Sequence, residues 1–88
     1  MTDHKTDFKG DVVTAVREAI EGKMPGATVL VSGRAGHYSI DVTSELFIGK
    51  NRLESQRLVY SAITHLMVGD LAPVHAVDRL DTRTPQAN

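Results

Sequence analysis

"ATVLVSGRAGHYSIDVT", residues 27–43, decides the architecture. Its first part is a five-residue run rich in β-branched side chains that closes at Gly33. Its last part alternates, with Tyr38, Ile40 and Val42 on one face and His37, Ser39, Asp41 and Thr43 on the other. Alternation of this kind marks a half-buried strand. Two such runs around a short glycine-bearing loop predict a hairpin. The loop itself, "GRAG" at residues 33–36, formally matches the G-x-x-G element that clamps a nucleic-acid backbone in some domains. That element aims the N–H groups and dipoles of two helices at phosphate. Between two strands, the glycines are turn residues.

Working outward from the hairpin, Val12, Val16, Ala19 and Ile20 recur at spacings of three and four within residues 8–24. That is one face of an amphipathic helix, loosened by Gly22 and stopped by Pro25-Gly26. Downstream, Thr43 or Ser44 can cap a brief helical turn through Leu46 and Phe47, which Gly49 interrupts. Asn51 and Glu54 have capping-box spacing and open a helix running to about Val68. Its apolar stripe is read as Leu53, Gln56, Tyr60, Ile63 and Met67, flanked by Val59 and Leu66. Gly69 ends it, and Pro73 leads into a last strand. The order α-β-β-α-α-β predicts an α+β fold, a small three-stranded sheet with its helices packed on one face. The expected core comprises Val12, Val16, Ile20, Leu30, Ile40, Val42, Tyr60, Ile63 and Val77. Residues 8–85 read as a single domain between a disordered arm at 1–7 and a disordered tail at 86–88.

The totals narrow the function. The chain of 88 residues has 41% apolar and 5% aromatic residues, so aliphatic side chains must fill one modest core. It has no cysteine, which excludes disulfides, thiolate metal sites and cysteine nucleophiles. Metal chemistry would have to come from four histidines, from carboxylates or from a partner's ligands. A net charge of −1 creates no global field for nucleic acid. The opening "MTDHKTDFKGD" is polar and no run approaches the roughly 20 apolar residues of a membrane span. A cytoplasmic protein with no membrane contact is expected. No nucleophile motif or phosphate loop is recognisable, so an enzyme is not expected.

Among the histidines, His4 lies in the arm, and His65 falls near the helix end, where an imidazolium suits the dipole. His37 opens the second strand and His75 the third. Both sit near strand ends, where they could meet at one rim of the sheet and bind a metal as neutral imidazoles. Lys50, Arg52 and Arg57 surround the start of the long helix, a possible phosphate site tempered by nearby Glu45 and Glu54.

These residues also carry a resemblance. The run "ATVLVSGRAGHYSIDVTSELFIGKNRLESQRLVYSAI", followed by "VHAV" and "TP", resembles the BolA family over about residues 12–85. Its most specific parts are F-x-G-K at 47–50, "QRLVY" at 56–60 and "HAV" at 75–77. The short hairpin loop and Gln56 place it near the short-loop bacterial members. The resemblance implies a class II KH-like fold with a mixed three-stranded sheet. Because the expected core needs no bound ion, the chain alone should be folded, monomeric and cofactor-free. The resemblance further implies a monothiol glutaredoxin as partner in a heterodimer sharing a glutathione-ligated [2Fe–2S] cluster. His75 matches the family's C-terminal histidine ligand. A second ligand comes from the hairpin loop in other members, where His37 is this chain's only histidine and Arg34 falls near their cysteine. The expected function is a non-enzymatic adaptor for iron–sulfur and redox homeostasis. Some members regulate transcription, so the alternative is DNA binding through Lys50, Arg52 and Arg57 in a stress-response regulator. The family's closing strand usually has one residue fewer between this histidine and the Thr-Pro pair. A β-bulge at Asp78–Arg79 would absorb the extra residue, turning Leu80 inward and leaving Arg79 solvated.

Overall fold

The apolar face of Tyr38, Ile40 and Val42 can be buried only if their strand has a neighbour on each side and helices over it. The computed structural model, which describes residues 8–85, is built that way. Strand β1 spans Thr28–Arg34, β2 spans His37–Thr43 and β3 spans Ala76–Arg83. The order is β1-β2-β3, with β2 antiparallel to β1 and parallel to β3. Helices α1, Val12–Lys23, and α2, Arg52–Ile63, complete an α+β fold. The middle helix of the expected order is only a 3₁₀ turn, Glu45–Phe47. The Ser44 hydroxyl accepts from Leu46 N–H at its start, and Gly49, at φ 84°, redirects the chain just beyond. The expected disordered arm and tail, at 1–7 and 86–88, lie outside the described residues, as does His4.

Helix α1 starts later than its apolar spacing suggested. Gly10, at φ 105°, is not helical, and Asp11 caps the helix by accepting from Val13 N–H at 3.2 Å and the Thr14 hydroxyl at 2.6 Å. The Thr14 bond chiefly, with help from Val13, holds the Asp11 carboxyl below its ordinary value. The cap is therefore complete at neutral pH and is withdrawn only as pH falls below the usual carboxylate range. Val16, Ile20 and Met24 point into the core, where they meet Ile40, Val42, Val59 and Ile63.

Two expected core positions are corrected. Leu30 is 65% exposed, and Val29 takes the inward place. The first strand is apolar at both parities, so only pairing could decide. Val29 and Val31 lie opposite Val42 and Ile40, whereas Leu30 lies opposite Asp41 on the outer face. In α2, Leu53 is 54% and Tyr60 36% exposed, so the expected stripe is rotated from the true one. The buried face is Ser55, Val59, Ala62 and Ile63, continued by Leu66 in the 3₁₀ turn Thr64–Leu66. Ser55 and Ala62 are small enough to let the helix sit close, and smallness leaves no mark in hydropathy. The Asn51–Glu54 capping box forms as expected, with bonds of 2.8 and 3.0 Å.

The hairpin turn places Ala35 at φ 55° and Gly36 at φ 86°, the pattern of a type I′ turn. Gly33 is equally constrained, because a Cβ there would overlap the carbonyl oxygen of His37 and lie 2.8 Å from the Cα of Tyr38. In β3, Tyr38 faces Val77 but Ser39 faces Arg79, which leaves Asp78 unpaired in a bulge. Leu80 is buried and Arg79 exposed beyond it, as the extra residue required.

Ile40, 2% exposed at the centre of β2, should cost about 2–5 kcal/mol when truncated to alanine. Ala35→Asn should act in the opposite sense and stabilise by roughly 1 kcal/mol, because asparagine tolerates the left-handed conformation that alanine resists. Urea unfolding of both variants checks the two signs together.

Candidate metal centre

His37 is the first residue after the hairpin turn, and the alternation that buries Tyr38 turns it to the outer face. His75 precedes β3 by one residue, after the buried Pro73 and Val74. Val74 N–H bonds Leu66 O at 3.0 Å, which holds this approach against the end of the helical layer. The next two N–H groups, of His75 and Ala76, both donate to Gly36 O, at 2.8 and 2.9 Å. One carbonyl in the hairpin turn thereby fixes where β3 begins. The two histidines are brought together as a result, with ring centroids 5.6 Å apart and planes inclined by 60°.

A residue that sequence reading did not select completes the arrangement. His37 Nδ1 lies 3.1 Å from Asp78 Oδ1, both side chains being about half exposed (53% and 56%). Asp78 is the unpaired residue of the bulge. The only hint of it in the sequence was the extra residue, which predicted a bulge but gave no reason to look at its side chain.

Two imidazoles bound to one metal, with metal–nitrogen bonds of about 2.0–2.1 Å at tetrahedral angles, hold their centroids roughly 5 Å apart. The observed 5.6 Å is near that separation, and imidazole nitrogens, in their neutral form, suit a borderline transition ion such as iron or zinc. Among the described residues no group of three or more His, Cys, Asp or Glu is arranged to hold a metal ion. A metal at this rim would take its remaining ligands from another molecule. Arg34 lies opposite His37 across the hairpin and is exposed.

The other expected residues fall elsewhere. Lys50 and Arg52 line a depression of about 380 Å³ with Phe47, Ser55, Asp81 and Arg83, while Arg57 is not part of its lining. Arg83 is paired with Asp41 at 2.8 Å, and Asp81 with Arg79 at 2.7 Å. His65 is exposed in the 3₁₀ turn that follows α2. Among the described residues no helix is long and apolar enough to cross a membrane.

The molecule is thus a small α+β domain that carries a pair of imidazoles at one rim of a mixed three-stranded sheet. A family model described as BolA-like protein matches residues 5–87, and the chain belongs to that family. A BolA protein homologue from Coxiella burnetii is similar at 28% identity and a TM-score of 0.71, over 86% of this chain and 94% of that one. Two structures from Arabidopsis thaliana share the fold at lower identity. BolA1 matches at 19% identity and TM-score 0.70, over 88% and 95% of the two chains. The BolA domain of SufE1 matches at 22% and 0.70, over 89% and 96%. Among curated proteins no match was found.

Because both rings stand at the rim outside the core, His37→Ala and His75→Ala should each change unfolding free energy by no more than about 1 kcal/mol, the scale of surface substitutions and exposed pairs. A loss above about 2 kcal/mol in either, measured by chemical denaturation, would make that ring a packing element.

Proposed function

We propose that this BolA-like chain is a non-enzymatic adaptor that docks a monothiol glutaredoxin and contributes His75 and His37 to a shared [2Fe–2S] cluster. The observation that carries the reading is the approach of the two rings to 5.6 Å on an exposed rim, from two segments far apart in sequence. Each ring alone would be an ordinary surface histidine. Two of them, near ligating separation in a chain without cysteine, supply half of a tetrahedral set. The partner would bring thiolates, its own cysteine and that of glutathione.

When bound, a cluster with imidazoles on one iron carries less negative charge and a higher potential than an all-thiolate one. What the chain itself does is simpler. Gly36 O holds the mouth of β3 against the hairpin turn, so the two rings keep their separation. Their exposure lets a second protein approach, and lets the shared group be passed on without unfolding either partner. The family membership supports this reading, and so does the absence of any nucleophile motif in the sequence.

A second reading has one observation in its favour. Lys50, Arg52 and Arg83 share a depression beside the start of α2, which would suit a phosphate of DNA. The carboxylate of Asp81 lines the same depression, and Arg83 is engaged by Asp41, so the field there is mixed. Transcriptional regulation through Lys50, Arg52 and Arg57 stands second for that reason.

Co-expression with a monothiol glutaredoxin should give a coloured heterodimer whose visible spectrum differs from that of the glutaredoxin alone. His75→Ala should alter that spectrum and shorten the life of the cluster, with the melting temperature of the isolated chain nearly unchanged. A wild-type heterodimer whose spectrum ignores His75→Ala sinks the ligand assignment. DNA affinity that falls steeply with salt, as neutralising several phosphates requires, would promote the second reading instead.

A further inference from the structure

Asp78 is spare as far as the sheet is concerned. Val77 pairs with Tyr38 and Arg79 with Ser39, and Asp78 between them pairs with nothing in β2. A bulge needs an extra residue but makes no demand on its chemistry. The residue found there is a carboxylate, and it is directed back along β2 to His37 Nδ1 at 3.1 Å. The neighbouring carboxylates of the outer face do something else, since Asp81 bonds Arg79 and Asp41 bonds Arg83. Asp78 is bonded to an imidazole although the Arg79 guanidinium is adjacent in the chain.

The consequence follows from donor chemistry. A carboxylate only accepts hydrogen bonds, and the two nitrogens of a neutral imidazole share one proton. With Asp78 Oδ1 on Nδ1, the proton resides on Nδ1, and the lone pair is left on Nε2. This is the tautomer that a free neutral imidazole disfavours. It is also the arrangement found behind metal-bound histidines, whose second nitrogen donates to a carboxylate that fixes ring orientation and raises ligand basicity. The bulge therefore achieves what a regular strand would not. It inserts an acceptor on Nδ1 of one member of the imidazole pair, a ring about half exposed at the rim.

We infer that Asp78 is a positioning residue that fixes His37 as the Nδ1–H tautomer and so makes Nε2 its metal-binding atom. This rests on the metal-centre reading but concerns the isolated chain, so it is tested without glutaredoxin. Long-range ¹H–¹⁵N spectra of the wild-type protein, at a pH where its histidines are neutral, should show His37 protonated on Nδ1. In Asp78→Ala the ring should revert to the Nε2–H form, while Asp78→Asn, whose side-chain carbonyl can still accept, should keep most of the wild-type population. Titration with Zn²⁺, followed on the His37 and His75 ring signals, should show binding weakened about 10–100-fold in Asp78→Ala. Asp78→Asn should be largely spared, and His37→Ala should lose the response.

A wild-type His37 protonated on Nε2 overturns the inference. So does a tautomer indifferent to Asp78→Ala, or a pair of rings that ignores Zn²⁺ in the wild type. If these readouts behave as expected while the glutaredoxin complex forms no cluster, Asp78 keeps its role and the proposed function falls. If the cluster forms but the tautomer is indifferent to Asp78, the proposed function survives and this inference fails.

Discussion

The paired donation of His75 and Ala76 N–H to the carbonyl of Gly36 is the constraint on which the rest of this structure depends. A parallel strand has no tight turn to set its register, because its connection to the neighbouring strand is long. Here the start of the strand is set at its first residue, by bonds to the turn of a hairpin whose backbone is conformationally restricted. Gly33 admits no side chain, and Ala35 and Gly36 occupy the left-handed conformations that a two-residue turn requires. Local chemistry fixes the hairpin, the hairpin presents one carbonyl, and that carbonyl sets the start of β3. The meeting of His37 with His75 is downstream of it, while the pairing of Leu80 with Ile40 follows only after the one-residue shift at Asp78.

How much of this could be read without coordinates depended on whether a position was bounded by residues of unambiguous backbone chemistry. His37 follows Gly36, and His75 follows Pro73 and Val74, so their place at strand ends was legible from punctuation and parity. The Asn51–Glu54 box was legible because capping is a local exchange of two hydrogen bonds. The face of Leu30 is not legible, because its strand is apolar at both parities and the choice of face belongs to the partner strand. The exposure of Tyr60 and Leu53 is not legible either, because the buried face of α2 includes Ser55 and Ala62. Helix packing selects small volume at close contacts, whereas periodicity weighs only hydrophobicity.

The candidate site shows the same division. Its two rings could be nominated from the sequence, but their separation is a tertiary quantity. Asp78 could not be nominated at all. The count of residues along the last strand implied a bulge, and a bulge names a place where pairing fails. It does not say what the displaced side chain will touch. The family resemblance points to His75, whose motif matches, and not to Asp78, which belongs to the extra residue of this chain.

The bulge also divides β3 mechanically. A strand has a side-chain period of two, so adding one residue should send every later side chain to the opposite face. In β3 that inversion is absorbed between Tyr38 and Ser39 on the neighbouring strand. The short piece before it, Ala76 and Val77, keeps phase with the hairpin turn and the imidazoles, and the longer piece after it keeps phase with Leu80 and the core. The strand is thus two rulers offset by one residue at Asp78. Asp78 is where the two phases meet, so the rim and the core are each in register with β2 on their own side of it.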